Sequence, residues 1–219
     1  MNYDSVPLRD FKELNDWETV IFVYQSALKQ VGTKIDILNG EFQHRHKYNP
    51  IEHVKSRIKT PESIVKKLKR HGYESSIENM VRYVNDIAGI RISCSFTSDI
   101  YLIADMISKQ NDLTILARRD YMKNPKKSGY RSYHMLVTTP VFLSDSIIDT
   151  KVEIQIRTVA QDFWATLEHK MHYKFEGDGP DYITKELREC ARYVAELDTR
   201  MEELNNEIQK YGKLSDKKI

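Results

Sequence analysis

The segment VEIQIRT, residues 152–158, alternates β-branched residues with polar ones at period two, the signature of a strand. Val152, Ile154 and Ile156 fall on one face, and Glu153, Gln155 and Arg157 on the other. The apolar face requires a packed layer beneath it. The polar face has two readings, a solvated surface or the floor of a site, and the segment alone leaves both open.

Three further runs read as strands: 89–96, 113–120 and 130–140, with the fourth spanning 150–158. Between the first two lies a helix, 98–109, and a second helix, 159–173, follows the last. Thr60 as N-cap and Pro61 at the first helical position start a helix running to His71, and Ser75-Ser76-Ile77-Glu78 starts another. A mixed sheet with helices packed on it is the expected assembly, of α+β or α/β class.

Long helices flank this centre. Trp17, Ile21, Tyr24, Leu28, Val31, Ile35, Leu38 and Phe42 keep a four-three spacing, as do Ile183, Leu187, Cys190, Val194, Leu197, Met201, Leu204, Ile208 and Tyr211. Each seam needs a covering helix, from the same chain or from another copy, and we expect a homo-oligomer. Gly177-Asp178-Gly179-Pro180 is read as a turn ahead of the last helix, and KLSDKKI at the end as a polar tail.

At 219 residues the chain suits one domain, and 40% hydrophobic with 30% charged residues describes a soluble globular protein. No apolar run is long enough to span a bilayer and the first residues lack a secretory pattern, so we expect a cytoplasmic protein. Cys94 and Cys190 are expected to be reduced thiols, and no Cys-x-x-Cys pair offers a zinc site. Net charge is +2, but residues 55–71 hold seven Lys or Arg against one Glu, and residues 118–131 hold six against one Asp. Two basic segments in a balanced chain point to a polyanion bound locally, nucleotide phosphates or nucleic acid. Nucleic acid is the weaker case, since no recognised nucleic-acid-binding signature is present.

In the helix from Pro61, Ser63, Lys67 and Arg70 lie along one stripe, with Arg57 and Lys59 just before its anion-favouring N-terminus, a set that suits a triphosphate. Asp86 precedes a strand that contains Arg91, an arginine expensive to bury without a partner. Asp86 and Glu153 are two carboxylates of the kind that hold Mg²⁺ together with phosphate oxygens. In KKSGYRSYH, 126–134, Tyr130, Ser132 and His134 share a strand face. An aromatic there can stack on a base while Lys126 and His134 reach phosphates. His169 and His172 with Glu168 read EHKMH rather than HExxH, so the zincin pattern fails.

The ordered set RIKTPESIVKKLKR, DIAGIR, SGYRSYH, VEIQIRT and FWATLEH resembles the synthetase domain of the RelA/SpoT enzymes, and is most similar to the small alarmone synthetases. The resemblance implies a nucleotidyltransferase-like, mixed five-stranded sheet in one domain, 1–219, with a helical extension (1–50), a catalytic core (51–175) and a C-terminal helix and tail (176–219). It implies transfer of pyrophosphate from ATP to the 3′-hydroxyl of GDP or GTP, giving ppGpp or pppGpp and AMP, with Mg²⁺ as cofactor. A non-catalytic nucleotide- or RNA-binding module is the alternative. Arg57, Lys59, Ser63, Lys67, Arg70 and Arg91 match ATP-binding positions; Asp86 and Glu153 match the metal-holding and catalytic carboxylates. Lys126, Tyr130, His134, Gln155 and Glu168 match the acceptor side, as does Arg119. The family implies a homotetramer joined by the terminal helices. With no His-Asp dipeptide, alarmone hydrolysis is not expected. One branch is activated by its product in a cleft between subunits, with Phe and Asn where His53 and Asp162 stand here. The likeness is closer to the RelP branch, so that activation is not expected.

Overall fold

The computed structural model describes residues 16–46, 48–174 and 180–215, without the side chains of 172–174 and 211–215. Helix α1 (Trp17–His46) leads to strand β1 (Ile51–Ile58), helices α2 (Pro61–Arg70) and α3 (Ile77–Tyr83), and strand β2 (Ala88–Cys94). Helix α4 (Thr97–Ser108), strands β3 (Thr114–Asp120), β4 (Tyr133–Phe142) and β5 (Ile147–Thr158), and helices α5 (Val159–Lys174) and α6 (Asp181–Ser215) complete it. Of the turn expected at 177–180 only Pro180 is described; of the tail expected at 213–219, residues 213–215 belong to α6 and 216–219 lie outside the described residues. No helix among the described residues is long and apolar enough to cross a membrane.

The five strands form one mixed sheet in the order β1-β2-β5-β4-β3. Only β2 and β5 run parallel; the other three pairings are antiparallel. VEIQIRT therefore lies in the central strand. Val152, Ile154 and Ile156 are fully buried, in one core with Ile90 and Ile92 of β2 and Met135 and Val137 of β4. Helices α1 and α4 cover this face: Val20, Val23, Tyr24, Ala27, Val31 and Ile35 of α1 and Ile100, Ile103 and Ile107 of α4 join the core.

The elements start where short polar side chains satisfy free amides. Asp16 accepts from the Thr19 N–H at 2.7 Å, and Ser76 from the Asn79 N–H at 3.2 Å. Thr60 caps α2 ahead of Pro61. The Asp99 carboxylate reaches back to the Phe96 N–H at 3.0 Å.

Three expectations change. Strand β1 takes up part of what the sequence shows as a basic segment; six of its eight residues are exposed, and its apolar residues Ile51, Val54 and Ile58 do not alternate. Strand β4 begins at Tyr133, which leaves Tyr130 and Ser132 in the preceding loop rather than on a shared face with His134. Ser132 instead is buried and donates to the Ile156 carbonyl at 3.1 Å. The α1 seam covers its own sheet, its buried line shifted to include Val20, Val23 and Ala27. Along α6 the far part of the seam stays exposed: Met201 by 48% and Ile208 by 68%.

Lys151 of β5 is buried, and among the described residues no carboxylate hydrogen-bonds to it. Its ammonium donates to the Arg82 carbonyl at 3.1 Å and to Asn85 Oδ1 at 2.9 Å, and burial pushes its pKa from 10.5 down to about 8. Between those values the unfolded chain holds a proton that the folded chain has lost, so this group makes stability rise with pH across that window, by up to ~3 kcal/mol. Urea unfolding of Lys151→Met at about pH 8 and about pH 10 should show that slope flattened relative to the unsubstituted chain; an equal slope in both would remove Lys151 as its source.

Candidate active site

The sheet register assembles the polar face. Lys55 of β1 pairs with Arg91 of β2, Arg91 with Gln155 of β5, Gln155 with His134 of β4, and His134 with Arg119 of β3. One row of five polar residues thus crosses all five strands. In the next row Arg57, Gly89 and Glu153 are aligned. Side chains two residues apart on a strand share a face, so both rows open on the same side. A cavity of about 190 Å³ lies there, lined by Lys55, Arg57, Asp86, Arg91, Glu153 and Gln155 among others.

Asp86 lies in the α3–β2 connection, at the rim of this cavity. Lys59, just past β1, holds its Oδ2 at 2.9 Å, and Lys67 of α2 holds its Oδ1 at 2.7 Å. Burial alone would raise the Asp86 pKa, but the two ammonium groups outweigh it and the carboxyl lies below its ordinary range. Lys67 is therefore aimed by an ion pair, while Ile64 and Leu68 of the same helix are buried. Ser63 takes part in the helix start, accepting from the Thr60 hydroxyl at 3.0 Å. Arg70 is exposed in the last turn.

Glu153 lies at the centre. Gln155 Nε2 donates to its Oε2 at 2.8 Å, and His134 Nδ1 stands 3.7 Å from its Oε1, an electrostatic contact rather than a hydrogen bond. Burial pushes the Glu153 pKa up, but His134 and Gln155 together bring it below the ordinary glutamate value. Tyr130 reaches the same group from the loop: its hydroxyl is 2.9 Å from His134 Nε2, and the Lys126 ammonium lies 4.7 Å from its ring centre. Burial raises the Tyr130 pKa, so its phenol is neutral at ordinary pH.

The structure thus brings together Arg57, Lys59, Lys67, Asp86, Arg91, His134, Glu153 and Gln155, with Tyr130 and Lys126 at one side. Arg119 continues the row on the edge strand β3, and Glu168 is half-buried on α5. Sequence reasoning passed over Arg157 as a site residue. It is 2% exposed, and its Nε lies 3.1 Å from Asp162 Oδ1. The same carboxylate is 3.6 Å from Arg91 and 3.9 Å from Lys55. The partner that Arg91 required is therefore Asp162, from the first turn of α5. The signal was present: the third polar residue of VEIQIRT needs a counter-charge once that face is buried. Asp162 accordingly faces cations of its own chain.

Two carboxylates facing one cavity, both held ionised, are hard oxygen donors in the number Mg²⁺ takes from a protein when phosphates supply the rest. Among the described residues no cluster of three or more His, Cys, Asp or Glu converges.

Residues 56–178 match the model for the region found in RelA / SpoT proteins. The chain belongs to the RelA/SpoT family. It is 45% identical over 195 residues to the GTP pyrophosphokinase YwaC of Bacillus subtilis, covering 89% of this chain and 93% of that one. The GTP pyrophosphokinase YjbM of the same organism is 35% identical over 193 residues, covering 88% and 90%. Among solved structures, the small alarmone synthetase 2 of Bacillus subtilis superposes with a TM-score of 0.80 at 44% identity, covering 87% of this chain and 99% of that one. The small alarmone synthetase 1 of that organism, bound to its product pppGpp, gives 0.82 at 34%, covering 88% and 98%. This RelA/SpoT chain therefore has the α+β, mixed five-stranded architecture of the small alarmone synthetases.

The electrostatics predict a titration. Glu153 should titrate below 4.5 in the folded chain, and its ionised form contributes stability above the unfolded value that is lost as pH falls through the folded one. His134→Ala removes an attraction and should move that titration upward, read by NMR of carboxyl-labelled glutamate. An unmoved resonance would show that His134 does not set it.

Proposed function

We propose that the chain is a GTP pyrophosphokinase that transfers the β,γ-pyrophosphate of ATP to the 3′-hydroxyl of GDP or GTP, giving ppGpp or pppGpp and AMP. The observation that carries this reading is Glu153 at the meeting point of two basic flanks, only one of which carries an aromatic ring. On one flank Arg57, Lys59, Lys67 and Arg91 present cations for a triphosphate. On the other, Lys126, Tyr130 and His134 form an aromatic and basic site for a nucleotide, with Arg119 in line beyond.

In this reading the acceptor 3′-oxygen attacks the β-phosphorus of ATP. A bond forms between them, and the bond from that phosphorus to the oxygen bridging it to the α-phosphate breaks, so AMP leaves. The hydroxyl proton passes to Glu153, whose carboxylate is kept ionised and ready to accept it as attack raises the acidity of the hydroxyl. Gln155 and His134 fix the direction of that carboxylate. Lysine and arginine side chains already oriented by Asp86 and Asp162 meet the charge of the transferring group with little reorganisation. Mg²⁺, when bound, would be held by Asp86 and Glu153 and would supply further positive charge against the phosphate oxygens. Tyr130 stacks on the guanine, taking the ring face that Lys126 covers. Ser63, Arg70, Gln155 and Glu168 complete the two nucleotide sites. The enzyme works in the cytoplasm as a homotetramer, through terminal helices whose exposed residues include Ile37 of α1 and Ile208 of α6.

Purified chain incubated with ATP labelled in the β-phosphate, Mg²⁺ and GDP or GTP should give a labelled guanosine product and an equal amount of AMP. Folded protein giving no product with either acceptor would favour a non-catalytic nucleotide- or RNA-binding module. Glu153→Gln should lower kcat by at least about a hundredfold, the lower end of a general base's contribution, while nucleotide binding measured by calorimetry persists. Near-normal turnover in that variant would sink the assigned role.

A further inference from the structure

Helix α6 touches the loop that carries Tyr130 and Lys126. The loop closes in a turn: the Gly129 N–H donates to the Lys126 carbonyl at 2.8 Å, and the Lys126 N–H to the Tyr130 carbonyl at 3.1 Å. Gly129 has φ +92°, a conformation that L side chains rarely adopt. A Cβ placed on it would lie 2.5 Å from the Ala191 Cβ of α6, inside any real contact. The backbone of the turn therefore rests on the Ala191 methyl. Tyr130 packs against the small cluster that Ala191 forms with Trp164 and Ala165 of α5. Beside this contact the loop and the helix part to line a cavity of about 460 Å³.

The helix side of the contact is anchored. Trp164 Nε1 donates to the Leu187 carbonyl at 2.9 Å. Asp198, buried, accepts from the Thr158 hydroxyl and from Gln161 Nε2, each at 2.8 Å. Glu202 accepts from the Ser98 N–H at 3.1 Å. A larger residue at 191 thus displaces the turn more readily than the helix. The turn leads to Tyr130, which leads by its hydroxyl to His134 and so to Glu153. The Lys59–Asp86–Lys67 group lies across the sheet, beside the β1 edge.

We propose that Ala191 is a positioning residue for the acceptor nucleotide: α6 seats the Lys126–Tyr130 turn through Gly129 and fixes where the Tyr130 ring stands. This rests on the reading of Tyr130 as the acceptor-side aromatic. A residue that acts through the loop alone should affect one substrate and spare the other.

The test is Ala191→Leu, with KM measured separately for GDP and for ATP, and the dissociation constant for GDP measured by calorimetry. The KM and dissociation constant for GDP should rise about tenfold or more, within the range that a misplacement of about 1 Å produces, while KM for ATP stays within about twofold. An equal rise for both nucleotides, or none for GDP, overturns the proposal. Should the leucine variant not fold, Ala191→Val presses on the same contact with less bulk and is judged by the same split. If the unsubstituted chain forms no product, the assigned reaction fails, and GDP calorimetry on the two chains still decides whether Ala191 sets the acceptor site.

Discussion

The parallel pairing of β2 with β5 is the constraint on which the rest of the molecule depends. It sets Gly89 beside Glu153 and Arg91 beside Gln155, and the antiparallel pairings extend those two rows outward. A slip of one residue would turn Ile154 and Ile156 out of the core and send Glu153 into it. Apolar burial on one face thus enforces the geometry of the polar face. The stability of the core and the placement of the chemistry are one requirement.

The polar face is crowded with charge, and its order comes from sharing. Asp86 is held by two lysines from different elements, and Asp162 faces Lys55, Arg91 and Arg157 from three adjacent strands. Each carboxylate offsets the cost of bringing cations together in a partly dry cleft. The side chains are then already aimed when an anionic substrate arrives, which limits reorganisation during the reaction. Glu153 differs, since it is held by His134 and a neutral amide rather than by lysine or arginine.

The two ends of the chain serve the centre in different ways. Helix α1 closes the apolar face of its own sheet, so most of its heptad-like pattern is used within the chain. Helix α6 reaches the site from behind: it meets the loop at Ala191, the β5–α5 junction at Asp198 and the start of α4 at Glu202. Beyond these contacts the helix leaves apolar side chains exposed, Leu197, Met201, Leu204 and Ile208 among them.

The sequence by itself determined the central strands, the capped helices and the two carboxylates, because period, capping chemistry and residue type are local and survive without a fold. Asp86, Lys67, Arg91 and Glu153 were legible for that reason, and the order of five motifs pointed to the family. Strand β1 was not legible, since an edge strand with six exposed residues carries no alternation. Nor was the position of Tyr130, which the pattern put on a strand and the structure puts in a loop against α6. Only the tertiary structure decided that Arg91 and Arg157 share Asp162, that Lys59 and Lys67 share Asp86, and that Gly129 meets Ala191. Each of these joins residues separated by between 5 and 71 positions, and partnership between charged groups is set by distance in space, which spacing along the chain does not encode.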